Sequence, residues 1–265
     1  MRKIVYQAQT DRLVYLHEKA TPEFWEGYWR TEGKAPPASE QDEVVQVTRQ
    51  HLPAGSRILE GGCGRADKVH SLQRAGFSAT GVDFAADAVR QACIDYPDID
   101  VRQGDVRALE FPDGHFDGYW SIGVIEHFWD GYESIVAEAA RVLRPGGILF
   151  LTAPWFSPMR RRRARANGYP VAEFPAEPAD FYQFALSRED VTYRLNVGGF
   201  DIDRWQGTAC EMSLREDLPS LRGPVHWLFG SRGWYPKRIL RRVVTRTLDP
   251  YCGHSFLVIA RRRAG

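Results

Sequence analysis

The chain has 265 residues, 35 of them Lys or Arg against 34 Asp or Glu, for a net charge of +1. That length suits one α/β domain with additions, and the balanced charge argues against a surface built for nucleic acid. Cys63, Cys93, Cys210 and Cys252 form no C-x-x-C pair, so neither a zinc site nor a disulfide scaffold is indicated, and a reduced cytoplasm is the default. MRKIVYQAQTDRL lacks the apolar core of a signal peptide, and no apolar run approaches the ~20 residues needed to span a bilayer.

Residues 1–38 read as a helical segment ahead of the main domain. Thr21 followed by Pro22 marks a helix start, with threonine as cap. Phe24, Trp25, Tyr28 and Trp29 then recur at helical spacing. These rings either pack on the core or fold over a ligand as a lid, and the lid is the preferred expectation. The linker GKAPPAS leads to Ser39, placed to cap a second helix with Asp42 as its capping-box partner.

In ILEGGCGRADK, Ile58 to Lys68, an apolar strand ends in Glu60 and enters a glycine turn. Gly62 and Gly64 permit backbone angles and close approaches that other residues do not, and the helix from about Ala66 directs free N–H groups at that turn. A dinucleotide loop would want a third glycine where Asp67 stands, and no G-K-[ST] follows. A ligand without phosphate, carrying an ammonium for Glu60 and a ribose further on, fits better than NAD or ATP.

Gly76 stops that helix, and a second strand, FSATGVD, ends in Asp83, about 20 residues past the turn, where an acid can bind ribose hydroxyls. A third strand, 99–103, leads to Gly104 and Asp105, and a fourth is expected from Phe116 to Phe128. The helix Gly131 to Leu143 closes at RPGG before the strand ILFLTAP. This alternation predicts a doubly wound, mostly parallel sheet with its ligand at the carboxyl ends of the strands.

The ordered run ILEGGCGRA, GVDFAADAV, GDVRALEFPDGHFD, SIGVIEHF and EAARVLRPGGILFLTAP resembles the class I S-adenosylmethionine-dependent methyltransferases, especially the small-molecule group, closely over Ser39 to Pro154. The resemblance implies an α/β, Rossmann-like seven-stranded sheet with helices on both faces and an antiparallel last strand, over residues 39–265. It also implies a cofactor, S-adenosylmethionine, converted to S-adenosylhomocysteine. Carried over by position, Glu60 and Gly62 lie by the methionine portion, Asp83 on the ribose, Asp105 with Val106 around the adenine, and Phe84 on its face. Cys63, Gly64, Ser121 and Tyr28 are counted in the same site. Glu126 and His127 fall where the family faces the methyl group, and a neutral histidine could act as general base there or only shape the turn. The sequence departs from the pattern at Ala66, where the third glycine is usual, and at the extra glycine Gly61. No metal is expected.

The insertion 155–186 holds Trp155 and the run Arg160, Arg161, Arg162, Arg163 and Arg165. These could bind an anionic acceptor through forked hydrogen bonds, or form a solvated loop offset by Glu173, Glu177 and Asp180. Ser187 with Asp190 marks the next helix, Phe200 to Gln206 a strand, and His254 to Ala260 the last strand. In the extension 210–251, YPKRILRRVVTRTL is basic and amphipathic. Packing on the sheet edge is the expectation for it, with a peripheral membrane contact as the alternative.

The functional expectation is methyl transfer to O or N of a small, anionic or glycosylated acceptor. A lipid or quinone methyltransferase at the membrane surface and a non-catalytic cofactor-binding protein are the alternatives.

Overall fold

The computed structural model describes residues 3–31, 42–230 and 235–264. Its centre is a seven-stranded sheet made of β3 (Arg57–Gly61), β4 (Ser78–Asp83), β5 (Asp100–Gln103), β6 (Phe116–Ile122), β7 (Leu143–Pro154), β9 (Phe200–Thr208) and β10 (Ser255–Arg262). Across the sheet the order is β5-β4-β3-β6-β7-β10-β9. β10 runs antiparallel to both its neighbours, and the remaining pairings are parallel, as expected.

Helices cover both faces: α2 (Glu43–His51), α3 (Asp67–Arg74), α4 (Ala86–Asp95), α5 (Glu133–Val142) and α7 (Arg188–Val197). One face buries Leu59, Tyr119, Leu149 and Leu151 with α5 and α7, and the other buries Ile58, Trp120 and Phe150 with α2 and α3. Strands buried on both sides require continuous apolar runs, which ILFL and FLVIA supply. α2 is capped by Asp42 itself, whose carboxylate accepts from Val44 N at 3.0 Å. The expected cap Ser39 and the linker before it lie outside the described residues.

Several expectations are corrected. Residues 3–16 are not an α-helix: β1 (Lys3–Gln7) and β2 (Arg12–Leu16) form a hairpin joined by a 3-10 turn at Ala8–Thr10, as the β-branched and aromatic residues of KIVYQ and RLVYL favour. Its second strand pairs with β8 (Phe181–Ala185), so the insertion is a structural partner of the amino terminus and not a free loop. Among the described residues of that segment the α-helix is α1 (Pro22–Thr31), with Thr21 Oγ1 accepting from Phe24 N as anticipated. The fourth strand stops at Ile122, because Gly123 turns at φ +67° and Ile125–His127 coil into a short 3-10 turn.

The arginine run is helical as well, forming α6 (Pro158–Arg165). The extension folds into α8 (Cys210–Asp217), α9 (Arg222–Phe229) and α10 (Tyr235–Cys252), and here the expected packing is met only in part: α10 lies against the edge strand β9, but not with its whole apolar stripe. Leu248 joins the small cluster of Cys210, Leu214, Val225 and Cys252, whereas Ile239, Leu240 and Val243 stay exposed. At the carboxyl-terminal end of α10, Asp249 approaches Gly207 of β9. Among the described residues no helix is long and apolar enough to cross a membrane.

Candidate functional site

The glycine turn is stapled across the sheet. Gly62 N and Cys63 N both donate to Val82 O, at 2.7 and 3.1 Å, which holds the end of β3 against β4. Asp83, at the tip of β4, accepts from Gly64 N at 2.7 Å and from Ala85 N at 2.9 Å. Gly62 and Gly64 have φ of +76° and +50°, and a Cβ on either would lie 2.4 Å from the Val124 side chain or 2.3 Å from the Trp29 indole. Backbone angle and space thus both demand glycine there. Ala66 also adopts a left-handed conformation, φ +60°, which explains why glycine is usual at its position; alanine there costs about 1 kcal/mol.

Above the turn lies a cleft of about 700 Å³. Glu60, Gly62, Cys63, Asp83, Phe84, Asp105, Val106, Glu126, His127 and Tyr28 all line it, so the structure brings together most of the residues assigned to the site from sequence. Gly64 belongs to the same turn. Ser121 does not line the cleft: it is buried in the sheet at the level of Gly61, its hydroxyl without a partner. The alternation of a strand places it beneath the floor, a one-residue misreading of facing.

Two acids give the cleft its character. Glu60 is 4% exposed, its Oε2 has no partner, and burial pushes its pKa up to about 8 against the downward pull of Lys68. Glu126 is likewise buried with an unpartnered Oε2, and burial alone raises it to about 8. A carboxyl desolvated without a partner is costly unless something completes it. An ammonium at Glu60 would do so. Asp83 is also raised by burial, opposed by the N–H groups it accepts from, whereas Asp105 is lowered by its pairing with Arg107. The residues present therefore fit the cofactor implied by the resemblance: an unpartnered buried acid for the ammonium, a fixed aspartate for the ribose, and glycines that clear its path.

His127 is oriented by the backbone. Its Nδ1 lies 2.7 Å from Tyr182 O, and since a carbonyl only accepts, Nδ1 carries the proton and Nε2 is the basic nitrogen. The ring is edge-on to Trp25 at 4.9 Å and to Tyr182 at 5.2 Å. Helix α1 lies over the cleft: Trp29 packs on Gly64, Trp25 on His127, and Arg30 pairs with Asp87 of α4 at 2.7 Å.

The residues assigned to the acceptor lie elsewhere. Arg160 is wholly buried, Nε on Asp217 at 2.8 Å and Nη2 on Glu216 at 2.5 Å, which makes it a tie between α6 and α8. Arg163 lies over Tyr169, with its guanidinium carbon 5.2 Å from the ring centre. Trp155, Arg161 and Arg162 line a separate groove, and Arg161 pairs there with Glu189 at 2.6 Å. The sequence reading missed Tyr182 and Gln183, which β8 contributes to the cleft wall. The alternation of FYQFA was the available signal, but not its destination. Among the described residues no group of His, Cys, Asp or Glu is placed to hold a metal.

Residues 59–151 match the family model described as a methyltransferase domain. A probable S-adenosylmethionine-dependent methyltransferase of Mycolicibacterium smegmatis is 31% identical over 177 residues, 66% of this chain and 63% of that protein, so the chain spans under two thirds of its length. A ubiquinone biosynthesis O-methyltransferase of Xanthomonas axonopodis pv. citri is 31% identical over 231 residues, covering 84% of this chain and 92% of that one. A solved S-adenosylmethionine-dependent methyltransferase from Methanosarcina mazei shares the fold, with a TM-score of 0.56 and 19% identity over 83% of this chain and 98% of its own.

Proposed function

The chain belongs to the class I S-adenosylmethionine-dependent methyltransferases, and from that premise we propose that it methylates a hydroxyl group of a planar or lipophilic small molecule, with His127 as general base. The observation that carries this reading is the pairing of His127, basic at Nε2, with an aromatic wall of Trp25, Tyr28, Phe128 and Tyr182.

Glu60 would accept the cofactor's ammonium, Asp83 its ribose hydroxyls, and Phe84 with Asp105 and Val106 would enclose the adenine. Bound in that cradle, S-adenosylmethionine supplies a methyl group on a sulfonium leaving group. The protein's share is alignment, exclusion of water and removal of the hydroxyl proton. Helix α1 serves as the lid, and its indoles shield His127 from water.

An anionic acceptor has little support at this end of the molecule. Arg65, Lys68 and Arg107, the cations lining the cleft, are each paired with a carboxylate, from Asp95, Asp42 and Asp105 respectively. Aromatic rings favour a flat or apolar acceptor instead. The Xanthomonas relative, named for ubiquinone biosynthesis, is consistent with that class.

The test is a mass-shift assay with S-adenosylmethionine across phenols, quinols and hydroxylated apolar molecules, with release of S-adenosylhomocysteine followed in parallel. A +CH2 product is expected, and His127→Ala should lower kcat by about 10²- to 10⁴-fold while leaving S-adenosylhomocysteine affinity unchanged. Intact turnover in that variant removes the base. Cofactor binding without S-adenosylhomocysteine release with any acceptor would favour a non-catalytic binding protein.

A further inference from the structure

From residue 218 to residue 248 the sequence holds no Asp or Glu and seven Lys or Arg, in a chain otherwise close to charge balance. This is the stretch that forms α9 and most of α10. It is also where large apolar side chains face outwards: Trp227 is 63% exposed, Val243 55%, Ile239 49% and Leu240 43%. Ile239 and Val243 are one helical turn apart with Leu240 beside them, so they form one apolar strip, flanked by the exposed arginines Arg238 and Arg242. The two helices present a common surface. Lys237 lies 5.0 Å from the Trp227 ring centre, and Arg241 Nε donates to Leu228 O.

Further along α10, Arg246 enters the groove of about 740 Å³ that also takes Arg161, Arg162, Arg165, Arg188 and Arg204, against only Glu189 and Asp249. Arg162, Arg165 and Arg246 form no ion pair among the described residues, and Arg188 lies over the Trp205 ring. Like charges gathered this closely repel unless an anion joins them.

We propose that the α9–α10 face docks on an anionic phospholipid surface, with the apolar strip and Trp227 entering the headgroup boundary and the arginine groove receiving headgroup phosphates. Each half of the pattern alone has other partners; together they match only an amphiphilic one. RNA would satisfy the arginines and leave Ile239, Leu240 and Val243 in water. A second copy packed across a twofold axis would cover the apolar strip but set arginine against arginine. An anionic bilayer meets both, since interfacial helices carry apolar residues on one side and Lys or Arg around them, and each cation near the surface adds attraction. Arginine stems reach along apolar surface while their heads stay at the phosphates. The groove also lies by Trp155 and Gly207, at the carboxyl ends of β7 and β9, the same edge at which the methyl-transfer cleft opens. Docking would thus hold that edge near the lipid. The proposal stands whether or not the cleft transfers methyl groups.

The test is co-sedimentation of the full chain with vesicles of phosphatidylcholine, with and without phosphatidylglycerol. Binding is expected only with the anionic lipid, falling as salt is raised. Ile239→Asp combined with Val243→Asp, and separately Arg162→Glu combined with Arg246→Glu, should each weaken it roughly tenfold or more. Thermal unfolding and S-adenosylhomocysteine binding should be unchanged, which separates lost docking from lost folding and from a failed cofactor site. Equal binding to neutral vesicles, no sedimentation, variants that bind as the parent does, tighter capture of RNA than of vesicles, or a dimer abolished by the apolar substitutions would each overturn the proposal.

Discussion

Among the described residues, two hollows of nearly equal size, about 700 and 740 Å³, open at one edge of one sheet, and they differ in almost every other respect. The first is built at β3, β4 and β6 from glycines that admit no side chain and from two buried glutamates, each with one carboxylate oxygen left without a partner. The second, at β7 and β9, is ringed by exposed arginines. Volume does not distinguish them, and local charge density points to the wrong one as the seat of the chemistry. Desolvated groups held away from their ordinary protonation do distinguish them, because such groups are destabilising until a ligand completes them. The arginines keep their ordinary charge at the surface, so an anion meeting them would relieve repulsion between like charges and would not complete a desolvated group.

Arg160 offers the largest test of that contrast, since sequence placed it with the ligands and the structure places it beneath the groove. Arg160→Met would remove the cation shared by Asp217, which is 1% exposed, and Glu216, at a cost of about 3–5 kcal/mol in stability, read by chemical or thermal unfolding. Replacing Asp217 by Leu as well should recover part of the loss. A variant that keeps its stability and raises only the acceptor KM would return Arg160 to the substrate side and blur the comparison.

Asp83 tests the other hollow with a smaller effect. Asp83→Asn preserves shape but turns one acceptor into a donor facing either Gly64 N or Ala85 N, and it would weaken the proposed contact with the ribose hydroxyls. Cofactor affinity should fall about 10²-fold by titration calorimetry, as expected for charge-assisted hydrogen bonds of roughly 1.5–3 kcal/mol each. Undiminished affinity would remove the ribose assignment.

What sequence could reveal of all this followed the range of the interactions. The strand ending in Glu60, the glycine turn and Asp83 are local patterns, and their spacing carried them intact into the cleft. Ser121 failed because a single register step decides which side of a strand is seen. Arg160 failed because its partners stand 56 and 57 residues away, so nothing near it in the chain announced a buried pair. The amino-terminal hairpin was hidden likewise: Leu13 pairs with Ala185, and a strand whose neighbour is so distant carries only its weak intrinsic preference. On α10 the apolar stripe was legible as a pattern, but whether protein or another phase covers it is not a property of the helix alone.

Glu60 provides the most delicate measurement. With its carboxyl held up to about 8 by burial, the cofactor-free protein carries it largely protonated at pH 7, whereas an unfolded glutamate titrates near 4.3. The folded state therefore binds more protons than the unfolded state between about pH 4.3 and 8, so this group lowers stability progressively as pH rises through that window and levels off above it. An ammonium beside Glu60 favours the ionised form, so cofactor binding near pH 7 should release a proton from this carboxyl. The release is visible as a binding enthalpy that differs between phosphate and Tris buffers in proportion to their ionisation enthalpies. Glu60→Gln should abolish that difference and flatten its share of the stability slope, while Asp83→Asn should weaken binding with the proton release intact. A parent enzyme whose binding enthalpy ignores the buffer would show that Glu60 does not meet the ammonium, and the buried acid would then need another partner.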